Sequence, residues 1–164
     1  KIIQEFKDTV EVARFLGYRM EEFKIKSVSD LNSKHTVFIE EVNNSKRKLE
    51  ELQKHGFPKP PFYGTKNTPF KVKSQSLTIE PIENPRSLLA EAKEMHNCVT
   101  IYASRVASGE IYFFRILSPE RGTISFIKSK DGWELSEMRG KFNSLLNEDA
   151  KELVHLWNQS TSSR

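Results

Sequence analysis

The chain has 164 residues, of which 37% are hydrophobic and 29% are charged, so it can bury one core without disulfides or a structural metal. Its single cysteine excludes an intrachain disulfide and a CxxC zinc site, and it favours a reducing compartment, which we expect to be the cytoplasm. The net charge of +4 permits a polyanionic partner. No apolar run approaches the roughly 18 residues that cross a bilayer, so no membrane partner is expected, and the start at Lys1 indicates a piece of a longer parent chain.

Two amphipathic helices are predicted at the start of the chain, and together they form an N-terminal helical hairpin over residues 1–55. Apolar residues recur at alternating spacings of three and four up to Gly17, and a second stripe runs from Leu31 to Leu52. His35 lies on the second stripe, and His155 lies beside a later one, so both are interpreted as structural. The hairpin is therefore expected to pack rather than to carry chemistry.

Residues 56–76 are predicted to connect this hairpin to the rest, and they are rich in proline and aromatic residues. Because pure linkers are poor in aromatics, we expect an extended segment that lies across the domain. Binding of a protein partner through residues 57–70 is the alternative. Leu77–Ile82 is a predicted strand, which Pro81 would place at the edge of a sheet.

An α+β core is predicted over residues 77–160, before a polar tail at residues 161–164. Asn84 and Pro85 start a helix whose apolar stripe continues to Gly109, and Asn147 caps a C-terminal helix. Between these helices, turn sequences separate three strand-like runs, which are Ile111–Leu117, Thr123–Ser129 and Trp133–Met138. The predicted fold is an antiparallel three- to four-stranded meander that packs with about four helices and follows the hairpin.

One line of side chains across this sheet is polar, and we call Arg115, Ser125 and Glu137 the polar row. Loops of five and three residues would place Arg115 opposite Ser125, and Ser125 opposite Glu137, on a sheet whose two faces are both at least half buried. Buried charges must be paired or bound. The row is therefore either a structural salt bridge or a pocket in which Arg115 and Arg139 receive an anion while Glu137 acts as a base or orients a ligand.

The candidate site residues cluster around this row. His96 and Glu137 are the candidate catalytic residues, and the candidate ligand- or anion-binding residues are Tyr102, Arg115, Arg139, Lys141 and Asn143. A Cys98 nucleophile activated by His96 is disfavoured, because residues two apart lie about 200° apart around a helix. No HxxxH or clustered Asp spacing indicates a metal site, so no structural metal is expected, and Mg²⁺ carried by substrate phosphates stays open.

Several of these residues also carry a family resemblance, which is strongest from Leu88 to Trp157. The matching residues are His96, Cys98-Val99, Tyr102, Gly109-Glu110, Arg115, Thr123, Arg139-Gly140-Lys141 and Asn143. In these residues the chain resembles the PcfJ-like family, whose members occur on conjugative plasmids and other bacterial mobile elements. The family typically has Glu at the position of Ser125 and Gln at that of Glu137, so the carboxylate of the polar row has moved by one strand.

Together these observations predict a nucleic-acid-associated domain of a mobile-element or phage-related protein, which binds or processes a phosphate-bearing ligand at the polar row. Two alternatives stay open. The chain could be a transferase or hydrolase acting on a nucleotide or a protein, with His96, Tyr102 and Glu137 at its centre, or a non-enzymatic protein-interaction module. Whether the domain is an enzyme is undecided at this point.

Overall fold

Residues 1–162 of the chain, described by a computed structural model, form six α-helices and one five-stranded antiparallel sheet. The helices are α1 (Ile2–Leu16), α2 (Val28–Asn44), α3 (Lys46–Leu52), α4 (Pro85–Met95), α5 (Ala103–Ala107) and α6 (Glu148–Ser162). The strands are β1 (Phe70–Val72), β2 (Gln75–Pro81), β3 (Ile111–Ser118), β4 (Gly122–Ser129) and β5 (Gly132–Arg139).

The fold is α+β, as predicted, but it has five strands instead of three or four and six helices instead of about four. The additional elements are short, since α3, α5 and β1 contain seven, five and three residues. Helices of up to two turns and a three-residue strand are too short to show a clear hydrophobic period, so the sequence pattern did not reveal them. α6 runs to Ser162, so the predicted polar tail is helical at residues 161 and 162, and residues 163 and 164 lie outside the described part.

The strands follow one another across the sheet in the order β1-β2-β3-β4-β5. One face is covered by α6 and the connecting segment, where the ring of Phe126 lies 5.1 Å from that of Phe62 and 6.2 Å from that of Trp157. α4 covers the opposite face, where the hydroxyl of Thr123 contacts the carboxylate of Glu91. The sheet is thus buried on both faces, and the second face holds the candidate site.

The predicted register between β3 and β4 is wrong by two residues. Arg115 pairs with Thr123, and Ser125 pairs with Phe113. The reason is the turn, where the guanidinium of Arg121 bonds to the carbonyl oxygens of Ile116 and Gly122 at 3.0 and 3.2 Å and brings the strands together earlier. Because side chains alternate with a period of two, the shift leaves every residue on its predicted face but changes its partner.

The predicted register between β4 and β5 is correct at one end of the pair only. Ser125 pairs with Glu137 as predicted, but a bulge after Ser125 shifts the rest by one residue, so that Phe126 pairs with Leu135. The bulge turns Trp133, Leu135 and Met138 toward one face, and all three pack against the main core. Apolar burial therefore overrides the regular register that the loop length indicated.

β2 is an inner strand, although Pro81 had indicated an edge. β1 pairs with β2 only from Gln75 to Leu77. Pro81 lies beyond this pairing, so its lack of an N–H costs no hydrogen bond to β1. The connecting segment takes over beyond β1, since Thr65 donates its N–H to the carbonyl of Ile79 and its hydroxyl accepts from the N–H of Ile79 at 2.7 Å. The segment therefore lies across the domain as expected.

The long helix predicted from Asn84 to Gly109 is broken. Its start is correct, because the side chain of Asn84 accepts the N–H of Ser87 at 2.8 Å, but α4 ends at Met95, and the next residue, His96, has a φ of 50°. The side chain of Asn97 then accepts the N–H of Val99 at 3.3 Å. Such local side-chain bonds compete with the helix, and the chain continues as a 3₁₀ turn (Val99–Tyr102) into α5.

The N-terminal hairpin packs on the segment that follows this break. α1 ends at Leu16 and is capped by Gly17, whose φ of 91° lies in the left-handed region that favours glycine. Val12, Phe38 and Val42 form a buried cluster with Cys98, which ties α1 and α2 to the α4–α5 connection. Within residues 1–162, no helix has the length and apolar character that a membrane span requires.

The close approach of the connecting segment to β2 predicts a specific sensitivity at Gly64. A Cβ added there would lie 2.7 Å from the carbonyl oxygen of Ile79 and 2.8 Å from the Cα of Glu80, so backbone would have to move. We expect Gly64→Ala to lower the free energy of unfolding in urea by about 1–3 kcal/mol. Gly56→Ala is the matched control, since no atom lies within 4 Å of its added Cβ, and it should change stability by less than about 0.5 kcal/mol. Equal effects of the two substitutions would contradict this account of the segment.

Candidate functional site

The polar row does not form, because Arg115 has another partner. β2 lies beside β3 and places Glu80 directly opposite Arg115, and the two side chains form an ion pair. Glu80 is buried, and Lys66 approaches its other oxygen at 3.6 Å. The carboxylate that satisfies Arg115 therefore comes from the strand before it, and Glu137 stays separate from this pair.

Two adjoining cavities lie instead where the hairpin meets the sheet. The first, which we call the sheet cavity, has a volume of about 340 Å³, and its lining includes Tyr102, Phe113, Ser125 and Glu137. The second, which we call the helix cavity, has a volume of about 520 Å³, and its lining includes His35. Four residues line both cavities, namely Gln4, Asp8, Arg139 and Asn143. A single ligand could therefore span the two.

Tyr102 forms an aromatic wall of the sheet cavity. Its ring lies 6.1 Å from that of Phe113, and the guanidinium of Arg105 lies 5.8 Å from its centroid. The hydroxyl donates to the carboxylate of Glu11 on α1 at 2.6 Å. Burial, and then the bond to Glu11, raise the pKa of Tyr102, so the phenol stays protonated and joins the hairpin to the sheet side.

Arg139 lies at the junction of the two cavities and retains free donor capacity. One of its terminal nitrogens donates to the carbonyl of Met138 at 3.3 Å, and the other lies 3.8 Å from the carboxylate of Glu137. By contrast, Arg121 holds Glu91 with two donors, at 2.6 and 3.2 Å. Arg139 is therefore positioned to receive an anion.

His35 has its protonation defined by its neighbours. The single hydroxyl hydrogen of Thr9 goes to the carbonyl of Glu5 at 2.6 Å, so at 2.8 Å from Nδ1 of His35 the hydroxyl oxygen must accept. Nδ1 thus carries the hydrogen, and Nε2 of the neutral ring accepts from the side-chain amide of Asn143 at 3.3 Å. Burial lowers the pKa of His35, against the opposing effect of Glu5 and Asp8, which keeps the ring neutral.

Asp8 faces the same junction from α1. Burial raises its pKa above the usual value for Asp, although the side-chain amide of Gln4, which donates at 2.8 Å, and the charge of Arg139 act the other way. A carboxyl group that is easier to protonate therefore lies in the cavities with a neutral imidazole. Such a pair can serve as acid and base.

His96 has a different position from the predicted one. Its ring is exposed and stacks on that of Phe142 at 4.2 Å and 12°, and it lines neither cavity. Phe142 and Asn143 both have a φ of 56°, a conformation that costs a non-glycine residue about 1–3 kcal/mol. The stack supports the strained loop that carries Asn143 toward His35.

Buried polar groups hold the far wall of the sheet cavity in place. The side chain of Asn43 donates to the carbonyl of Asn97 at 3.2 Å and accepts from the hydroxyl of Thr100 at 2.9 Å. The amide of Asn97 reaches the hydroxyl of Thr123 at 3.5 Å. α2, the α4–α5 connection and the sheet are thus joined across the cavity.

Cys98 lies in the wall of the sheet cavity, but its thiol is buried. Burial raises the pKa of Cys98 well above its usual range, which disfavours the thiolate. Across residues 1–162, no group of three or more His, Cys, Asp or Glu side chains could hold a metal ion.

Of the seven predicted site residues, the structure brings together Tyr102, Glu137, Arg139 and Asn143. The other three, His96, Arg115 and Lys141, line neither cavity. Two site residues were missed, because His35 was interpreted as structural and Asp8 was passed over. The spacing of Gln4, Asp8 and Glu11 places three polar residues on one side of α1, and this signal could have indicated a polar face toward the site.

The lowered pKa of His35 predicts a pH dependence of stability. The unfolded chain, with a His pKa near 6.5, binds more protons than the folded chain between that value and the lower folded pKa. Above pH 6.5, His35 therefore makes its full contribution to the free energy of unfolding. This contribution should fall as the pH decreases from 6.5 to the folded pKa of His35. In His35→Gln the fall should be smaller when both proteins are unfolded in urea at a series of pH values. An identical slope in the two proteins would contradict the assignment.

Burial of Cys98 predicts slow thiol chemistry. In the native chain at pH 8, alkylation by iodoacetamide should be much slower than in the chain unfolded in urea, since the thiolate is disfavoured and shielded. Cys98→Ser should retain whatever ligand binding the wild-type chain shows. Rapid native alkylation, or loss of binding with the fold intact, would restore the thiol as a candidate nucleophile.

Comparison with known proteins agrees with the resemblance in the sequence. No curated protein and no solved structure matches this chain. The sequence model of the family described as PcfJ-like protein matches residues 5–154, a range that begins in α1, covers α2 and the sheet, and ends within α6. Because this match spans most of the chain, the protein belongs to the PcfJ-like protein family.

Proposed function

We propose that the chain binds an unpaired nucleotide within single-stranded nucleic acid, with its phosphate at Arg139 and its base in the sheet cavity. The observation that carries this proposal is the position of Arg139, whose guanidinium lies at the junction of two cavities. Arg115 and Arg121, in contrast, are already held by buried carboxylates. The phosphate-bearing ligand expected from the sequence is thus assigned to Arg139 and not to Arg115.

The chemistry of Arg139 favours a phosphate over a lone carboxylate. Its planar fork of donors matches two oxygens of one phosphate, and the nearby Glu137, at 3.8 Å, is too distant to occupy that fork. Lys141 is exposed two residues further on and could approach a neighbouring phosphate of the same strand. The net charge of +4 adds a weak general attraction for polyanions.

The walls of the sheet cavity favour a nucleobase. A volume of about 340 Å³ falls within the range of small-molecule sites. Tyr102 and Phe113 present aromatic surface of the kind on which unpaired bases stack. On the sheet side, Ser125 and Glu137 offer a hydroxyl and a carboxylate, which can accept the N–H groups of a base edge. Glu137 thus orients the ligand in this proposal.

The family resemblance supports this proposal. Members of the PcfJ-like family resemble this chain and occur on conjugative plasmids and other mobile elements, which favours nucleic acid as the ligand. We therefore propose that the chain is part of a longer protein acting on nucleic acid in the cytoplasm of a host bacterium. Mg²⁺ would then arrive with the phosphates of the ligand.

One observation favours a second function, the binding of a protein partner. Tyr63 in the connecting segment is 90% exposed and borders a groove of about 630 Å³ with Pro61, Phe70 and Trp157. Other aromatic residues of the segment, such as Phe62, are packed inside. If Tyr63→Ala weakens binding of a partner while nucleic-acid binding is unchanged, the two functions are separate.

The proposal predicts that Arg139→Ala weakens nucleic-acid binding. Loss of a charged hydrogen-bonding group should raise the Kd for a labelled single strand by roughly 10- to 100-fold. It should also reduce the slope of log Kd against log salt concentration by about one. Fluorescence anisotropy with single-stranded DNA and RNA at several salt concentrations measures both quantities.

Arg47→Ala is the matched control for this substitution. It removes the same charge from α3, where the side chain of Arg47 is 90% exposed, and it should change the Kd by less than about threefold. If both variants lose affinity equally, the binding is diffuse and Arg139 has no special role. Absence of binding by the wild-type chain at micromolar concentration would refute the proposed function.

A further inference from the structure

We infer that the site also cleaves RNA, with Nε2 of His35 as the base that removes the proton from a ribose 2′-hydroxyl. This inference rests on the proposed nucleotide binding and adds both a reaction and a substrate class to it. It follows from the order of groups along the two cavities and from the hydrogen bonds that fix the histidine ring.

The ring of His35 is held in one orientation and one tautomer. Thr9 fixes the hydrogen on Nδ1 at 2.8 Å, because its own hydroxyl hydrogen is donated to Glu5. The lone pair of Nε2 therefore points toward the helix cavity, where it meets the amide of Asn143 at 3.3 Å. A contact of this length is weak, so a ligand hydroxyl could replace it.

The order of the groups matches the order of parts in a nucleotide. The base would occupy the sheet cavity, and the ribose that links it to the phosphate at Arg139 would lie at the junction beside Asn143, whose amide contacts Nε2 of His35 at 3.3 Å. In RNA this ribose carries a 2′-hydroxyl next to its 3′-phosphate. DNA lacks this hydroxyl. A DNA strand bound in the same way would therefore have no internal nucleophile for His35 to activate.

The reaction that follows needs no further reactant. Nε2 of His35 takes the proton of the 2′-hydroxyl, and the O2′–P bond forms as the P–O5′ bond breaks. Asp8, which lines both cavities, supplies a proton to the departing O5′. The products are a 2′,3′-cyclic phosphate and a 5′-hydroxyl, and His35 and Asp8 then return to their starting states by proton exchange with water.

The protonation states support these roles. Burial lowers the pKa of His35 and raises that of Asp8, so it favours the neutral form of both groups. The charged groups that share the helix cavity with His35 are Lys1, Glu5 and Asp8 from the α1 side and Arg139 from the end of β5. Because the reaction needs one group as a base and the other as an acid, the rate should show a bell-shaped pH profile.

The test uses the 164-residue chain and three oligonucleotides of one base sequence, namely RNA, 2′-O-methyl RNA and DNA, with EDTA present. We expect the wild-type chain to bind all three but to cleave only the RNA, leaving 2′,3′-cyclic phosphate ends. The comparison among substrates needs no variant, so it tests the inference even if a substitution disturbs folding. Cleavage of the DNA or of the 2′-O-methyl strand would overturn it.

Substitutions then identify the base. His35→Gln keeps an amide oxygen that can accept from Asn143 but has no basic nitrogen, and it should slow cleavage by about 10²- to 10⁴-fold while the Kd for RNA changes less than about threefold. His155→Gln is the matched control, because His155 is exposed on α6, and it should cleave at the wild-type rate. Normal cleavage by His35→Gln, with loss in Glu137→Gln, would move the role to Glu137 and overturn the inference.

The outcomes separate the inference from the proposed function. If the wild-type chain binds single strands through Arg139 but leaves RNA intact across pH 4–8, the inference fails and the binding function stands. If it binds none of the three strands and cleaves none, both fail. Circular dichroism of each variant shows whether a lost rate reflects chemistry or unfolding.

Discussion

The ion pair between Glu91 and Arg121 is the interaction on which the rest of the structure depends. The carboxylate of Glu91 is fully buried, and its oxygens receive Arg121 at 2.6 and 3.2 Å and the hydroxyl of Thr123 at 2.6 Å. Losing one partner would leave a buried charge unpaired, which costs about 3–5 kcal/mol. This pair fixes α4 against the sheet and closes the turn between β3 and β4, and thereby sets the register that brings Arg115 to Thr123.

The distribution of carboxylates decides where a ligand can bind. Glu91 and Glu80 occupy Arg121 and Arg115, so these two arginines stabilise the fold and offer little to a ligand. The carboxylate nearest to Arg139 is that of Glu137, which is 45% exposed and 3.8 Å away, and solvent weakens such a pair. The available positive charge therefore lies at the end of β5, beside the hairpin.

The strained loop after β5 gives the two proposed roles a common structural basis. Phe142 and Asn143 adopt a φ that most side chains avoid, and the stack of His96 on Phe142 holds them there. As a result, the amide of Asn143 reaches His35, and the loop lies between the sheet cavity and the helix cavity. His96 thus supports this loop, and it lines neither cavity.

Several features of this protein follow from its sequence alone. The helix start at Asn84, the helix end near Gly17 and the facing of β3 and β4 are local, since caps, glycines and a two-residue period act within a few positions. The sequence also indicated Tyr102, Glu137, Arg139 and Asn143 as site residues. Only the tertiary structure decided the partner of each charge and brought in Asp8 and His35. The bond from Asn143 to His35 spans 108 residues and that from Tyr102 to Glu11 spans 91, and no local pattern encodes contacts over such separations.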